Sequence, residues 1–266
     1  MKTITSPDNP LVKAIRRTQR RKGSRSKGLA VLEGVKLARE ALSQGVEIEA
    51  AVIAKNCLGS DVGREIAARL ESVGAPGIAV PAKLFRRLST QDHPEGILLL
   101  VAIHSQGLDQ LSGEPVLVLV GVQDPGNLGA MARVAEASGA RALVKCEGSA
   151  DPFQSKALRA SMGSLLRLPV LEGDAPEATL AELKRQGLTL AACVPREGTD
   201  FREADLRPPL ALVVGNESTG FPGSLMGHFD LTLSVPMKPP VDSLNVAVTA
   251  GHVLYEAARQ RGWFTT

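Results

Sequence analysis

Apolar residues in this chain alternate between two rhythms from end to end. Short continuous apolar runs bounded by Gly, Pro, Asn or Asp read as buried strands, and in the first part they predict strands over 29–32, 48–53, 77–80 and 97–103. Helical spacing predicts helices over 34–43, 61–72 and 81–88. Asp8-Asn9-Pro10 marks a further helix start, with Pro10 suited to the first turn. Residues 104–114 (HSQGLDQLSGE) are polar and without periodicity, so they read as a linker. Beyond it the alternation resumes, with strands over 116–121, 142–144, 168–171, 188–193, 210–214 and 231–234. The helices predicted there cover 128–138, 155–165, 176–186 and 244–261. Strands alternating with helices imply α/β layers, in a smaller N-terminal domain over 1–103 and a larger one over 115–266.

Composition narrows the function classes. No apolar run approaches the ~20 residues of a membrane helix, and Met1–Pro7 lacks the apolar stretch of a secretory signal, which points to a cytoplasmic protein without membrane attachment. The three cysteines (Cys57, Cys146, Cys193) are far apart, and the four histidines show no ligand spacing, so neither a disulfide framework nor a metal site is expected. The net charge is only +3, yet residues 1–28 hold nine Lys/Arg against one acid, leaving 22 basic and 27 acidic residues in the remainder. A basic arm on a mildly acidic body suits a polyanion such as nucleic acid, although a solvated helix face has the same composition. With six Phe, one Tyr and one Trp, an aromatic base-stacking sheet is not expected.

In open parallel sheets, ligands bind beyond the carboxyl ends of strands, and three segments placed there mix Gly, Pro and Asn with few working side chains. The first is Gly121-Val122-Gln123-Asp124-Pro125-Gly126-Asn127-Leu128-Gly129, with Asn127 where a helix N-cap belongs and Arg133 six residues on. The second, Gly215-Asn216-Glu217-Ser218-Thr219-Gly220, is a glycine-bounded loop with one carboxylate. It is neither a dinucleotide fingerprint nor a P-loop. The third is Val235-Pro236-Met237, leading through prolines to Ser243-Leu244-Asn245-Val246. Taken singly, these also read as a surface arginine, an ordinary strand-to-helix turn and a helix cap.

In this order the three segments resemble the motifs of the SpoU/TrmH RNA 2′-O-ribose methyltransferases of the SPOUT superfamily. Asn127, Gly129 and Arg133 match N-x-G-x-x-x-R; Gly215, Glu217 and Gly220 match G-x-E-x-x-G; Pro236-Met237 and 243–246 match the third motif. Residues 156–163 (KALRASMG) are also similar, as are 6–13, 32–34 and 94–97 to a substrate-binding domain with a ribosomal-protein-like fold. Two positions depart: Pro239 stands where relatives usually carry Gly, and Ala247 where Ser is common. Pro239 has no N–H and a fixed φ, so the loop near the cofactor is expected to differ.

The resemblance implies a SPOUT-type domain with a deep trefoil knot, which holds S-adenosylmethionine through Gly215, Val235 and Leu244. It implies methyl transfer to a ribose 2′-hydroxyl, in ribosomal rather than transfer RNA, by a homodimer that needs no metal. Arg133 is the base by resemblance. A guanidinium is effectively always protonated, so clamping a phosphate or stabilising the developing alkoxide stays open for it. Asn127, Glu217, Ser243 and Asn245 are expected to orient Arg133 and the ribose. A non-catalytic RNA-binding factor on the same scaffold is the alternative.

Overall fold

A computed structural model describes residues 1–20 and 28–263. The chain forms two compact units, Met1–His104 with Phe153–Arg167, and Ser105–Pro152 with Leu168–Thr266. Much of the basic run, from Arg21 to Lys27, lies outside the described residues.

The first unit is built on β1 (Lys2–Thr3), α1 (Pro10–Arg20), β2 (Leu29–Glu33), α2 (Val35–Ser43), β3 (Ile48–Ala54) and α3 (Lys55–Leu58). It continues through α4 (Asp61–Ser72), β4 (Gly77–Val80), α5 (Ala82–Leu88) and β5 (Ile97–Ala102). Its five strands are ordered β1-β4-β3-β5-β2. β4 runs parallel to β1 and β3, whereas β5 is antiparallel to both β3 and β2. Val12 and Ile15 of α1 are fully buried in this unit, as are Val52, Ile53, Leu98 and Leu99 of the sheet. Pro10 starts α1 as expected, and the Asn9 side chain accepts from Leu11 N–H at 3.0 Å. The short α3 and β1 carry no periodic signal in the sequence.

The second unit contains β6 (Gln106–Gly107), β7 (Val116–Leu119), α6 (Pro125–Ala137), β8 (Ala142–Lys145) and, after an excursion, β9 (Val170–Glu172). The excursion is Phe153–Arg167, which carries α7 (Ser155–Ser161) and groups with the first unit. There follow α8 (Pro176–Arg185), β10 (Thr189–Cys193), β11 (Thr199–Asp200), β12 (Leu210–Val214), β13 (Leu231–Ser234) and α9 (Val246–Gln260). Eight strands pair in the order β11-β13-β10-β12-β7-β8-β9-β6, and every ladder is parallel. β7 and β12 are buried at every position, as a parallel sheet covered on both faces requires.

The structure corrects several sequence expectations. Residues 104–114 are not a featureless linker: β6 pairs with β9, and Leu108 and Leu111 pack against the core of the second unit. Two leucines three apart supply that anchor. Asn127 is not an N-cap. Asp124 is, accepting from Asn127 N–H at 3.0 Å and from Gly126 N–H, and α6 starts at Pro125 rather than residue 128. The cap acceptor belongs just before the proline because Pro at N1 has no N–H to satisfy. The helix over 155–165 ends at Ser161, since Met162 (φ 52°) and Gly163 (φ 100°) turn left-handed. A Cβ on Gly163 would come within 2.8 Å of Glu40 Cγ, so the close approach also needs glycine there. Ser243 and Leu244 precede α9, and Asn245 is its N-cap, accepting from Ala247 N–H at 2.9 Å.

Candidate active site

Four neighbouring strands of the second unit, β13, β10, β12 and β7, are parallel, so their carboxyl ends lie along one edge. The order of strands reverses there, because β8 and β9 extend from one side of β7 while β12 lies on the other. That is where open α/β sheets bind ligands. The loops leaving these strands enclose a cavity of about 700 Å³.

The loop after β12 is shaped by backbone. Asn216 and Gly220 exchange both hydrogen bonds, at 3.1 and 2.9 Å. Gly220 takes φ +67°, and a Cβ on Gly215 would meet the Gly220 carbonyl at 2.9 Å. The Asn216 side chain ties the loop down, donating to Gly121 O at 2.8 Å and accepting from Ser218 and Thr219 N–H. Glu217 is thereby brought to the start of α6. Its carboxylate accepts from Gln123 N–H, Asp124 N–H and Asn127 Nδ2, each at 3.1 Å. Partial burial works to raise the Glu217 carboxyl, but these donors outweigh it and hold it below its ordinary range.

From Glu217 a chain of side-chain amides leads to the third motif. Asn127 donates to Glu217 and accepts at Oδ1 from Asn245 Nδ2 at 2.9 Å, while Asn245 Oδ1 caps α9. Each amide therefore has both ends committed, so its orientation is fixed. The three motifs are separated by up to 118 positions and joined by consecutive hydrogen bonds.

Gly215, Val235 and Leu244 line the cavity, and so do Asn127, Glu217, Ser243 and Asn245. Arg133 does not: it is exposed on α6, about 240° around the helix from Asn127. Sequence reasoning missed Gln123 and Asp124, whose contribution to Glu217 is a main-chain N–H that any residue other than proline provides, although the Asp124 side chain also caps α6. It also missed the lip after β10, where Cys193, Val194 and Pro195 line the cavity. The strand-end rule, applied to β10, would have found them. Burial pushes the Cys193 thiol up to about 12, so it presents a neutral S–H. Among the described residues no group of three His, Cys, Asp or Glu is placed to hold a metal ion, and no helix is long and apolar enough to cross a membrane.

The chain is similar to several known proteins. The family described as "SpoU rRNA Methylase family" matches residues 114–255, and the "MRM3-like substrate binding domain" matches residues 9–99. The 23S rRNA (guanosine(2553)-2′-O)-methyltransferase RlmP of Bacillus subtilis (strain 168) is 32% identical over 256 residues, spanning 96% of this chain and 98% of that protein. An AdoMet-bound rRNA methyltransferase from Sinorhizobium meliloti superposes with TM-score 0.85 at 28% identity, covering 97% of both chains. A solved RNA 2′-O ribose methyltransferase superposes with TM-score 0.82 at 32% identity, covering 98% of this chain and 99% of that one. The chain belongs to the SpoU rRNA methylase family.

Proposed function

We propose that this protein transfers a methyl group from S-adenosylmethionine to a ribose 2′-hydroxyl of ribosomal RNA, with the cavity at the ends of β13, β10, β12 and β7 as its active site. The carrying observation is the hydrogen-bonded chain Glu217–Asn127–Asn245 on the wall of a cavity that Gly215, Val235 and Leu244 also line. Relatives named as 23S rRNA 2′-O-methyltransferases support the substrate. The cytoplasm is the compartment that fits it.

The residues present suit the cofactor. The cavity volume lies within the roughly 300–1,000 Å³ of small-molecule sites, its walls include the apolar Val194, Val235, Met237 and Leu244, and its polar lining includes Asn127, Glu217, Ser243 and Asn245. Gly215, Val235 and Leu244 would hold the molecule. When bound, S-adenosylmethionine supplies a methyl carbon on a sulfonium, activated without further help. What remains for the protein is positioning and removal of the hydroxyl proton. Asn127 and Asn245, fixed at both ends, orient the ribose, with Ser243 beside them on the rim. Glu217 is an ionised acceptor that holds the start of α6 and Asn127 in register. The deep trefoil knot belongs to this reading; three loops distant in sequence meeting at one cavity support it.

Arg133 completes the site from a second copy of the chain. The homodimer is supported by α9, where Val248 and Tyr255, seven residues apart on one helix face, are 47% and 45% exposed. Arg133 there acts as base or as stabiliser of the alkoxide. Calorimetry with S-adenosylmethionine and methylation of unmodified 23S rRNA, with 2′-O-methyl mapping, test the proposal. Absence of both cofactor binding and methylation would overturn it in favour of a non-catalytic RNA-binding factor.

A further inference from the structure

The first unit has a cleft of its own, of about 230 Å³, lined by residues of α1, β2, Thr90 and the Phe153–Arg167 segment. Its polar lining is Thr18, Gln19, Thr90, Gln154, Ser155, Lys156 and Arg159, with no carboxylate among the lining residues. Hydroxyls, amides and two cationic side chains around one small opening make an anion-attracting surface.

Arg159 is held in place by a relay. Its Nη1 donates to Thr90 Oγ1 at 2.7 Å, and Thr90 Oγ1 donates in turn to Glu33 Oε2 at 2.7 Å. Glu33 is 4% exposed and also accepts from Thr90 N–H at 3.0 Å and from the Ser89 hydroxyl. Thr90 commits its proton to Glu33, so it faces Arg159 only as an acceptor. A guanidinium has five N–H donors in a rigid fork, and Thr90 is the single hydrogen-bond partner of the Arg159 guanidinium among the described residues. Gln19 is likewise anchored, through Nε2 to Leu88 O at 2.9 Å.

We propose that this cleft seats a backbone phosphodiester of the RNA substrate, with Arg159 as a pre-oriented anchor; this rests on the reading of the chain as an RNA methyltransferase. The fork geometry suits two phosphate oxygens. The cleft is smaller than the roughly 300–1,000 Å³ of sites for whole small molecules, and its one aromatic, Phe153, is 9% exposed and offers no face for a base. In the sequence, Thr18 and Gln19 are followed directly by Arg20, Arg21 and Lys22, a continuous run of positive charge. An extended polyanion matches that continuity better than a lone phosphate ion.

The test measures binding of unmodified 23S rRNA transcript across a potassium chloride series. Arg159→Gln is expected to weaken binding about tenfold and to reduce the slope of log K against log salt by about 0.7–0.9. Thr90→Val, which keeps the charge but removes its tether, should weaken binding by a smaller factor with the slope intact. Both variants should bind S-adenosylmethionine like the wild type. If Arg159→Gln lowers Tm but leaves affinity and slope unchanged, Arg159 only braces Glu33 and the seat is wrong. Inorganic phosphate binding that depends on Arg159, alongside an unchanged RNA slope, would equally overturn it. The methyltransferase reading stands or falls separately, on cofactor binding and methylation by the wild type.

Discussion

At the scale of single residues, Glu217 decides how the site assembles. Its folded carboxyl lies below its ordinary value, so it stabilises the loop fully above about pH 4.3 and loses that contribution as pH falls through the lower folded value. Cofactor affinity should therefore stay level from neutral pH to about pH 5; in Glu217→Gln, which cannot accept all three donors, it should be weakened at every pH. Isothermal titration across pH checks both. Asn245→Asp separates two jobs of one side chain: the acceptor for Ala247 N–H survives, whereas the donor to Asn127 is removed. Tm should hold while methyl transfer falls by about 10²-fold, the effect expected of a misplaced catalytic group. Arg133→Ala should keep cofactor binding and reduce methyl transfer by about 10²-fold or more. Equal turnover would remove Arg133 from the reaction. Motif residues such as Asn127, Glu217 and Asn245 were legible because each carries a distinctive side chain beside a glycine or a helix start. The donors that Gln123 and Asp124 offer to Glu217 were not, since a main-chain N–H leaves no mark in the sequence.

Among elements, the interiors were readable and the ends less so. β3, β4, α4 and β12 lie where apolar periodicity places them, because burial on a sheet or helix face imposes that periodicity. The start of α6 lies three residues before the expected one because Asn127 looks like a cap, and only the Asp-Pro pair before it tells otherwise. Asp124→Ala should cost about 1 kcal/mol, a Tm shift of about 2–4 °C, and should loosen Glu217 through the same turn. Thermal unfolding with and without cofactor reads both effects. The end of α7 was hidden for a different reason: Met162 at positive φ is uncommon for a residue with a side chain, and only the following Gly163, which lies close to Glu40, is of a type that marks a left-handed turn.

For the molecule as a whole, the parallel sheet and its ligand-binding edge followed from the order of strands and helices, whereas the route of 153–167 did not. Interactions between residues far apart in sequence set that route, and periodicity is blind to them. The homodimer predicts that Val248→Asp shifts sedimentation from dimer to monomer; a monomeric wild type would end that reading. The basic run calls for substitution rather than truncation, since removing α1 would strip Val12 and Ile15 from their core. Arg21, Lys22, Arg25 and Lys27 changed together to Gln should flatten the salt dependence of RNA binding by up to about 0.9 for each phosphate they neutralise in the wild type. Because Phe153–Arg167 completes the first unit from within the second, with Ala157 and Leu158 fully buried, the polypeptide passes between the units three times. A protease nick anywhere in 104–114 would therefore leave two fragments that still co-purify, and a gene split at that point would yield an amino-terminal piece missing part of its own interior.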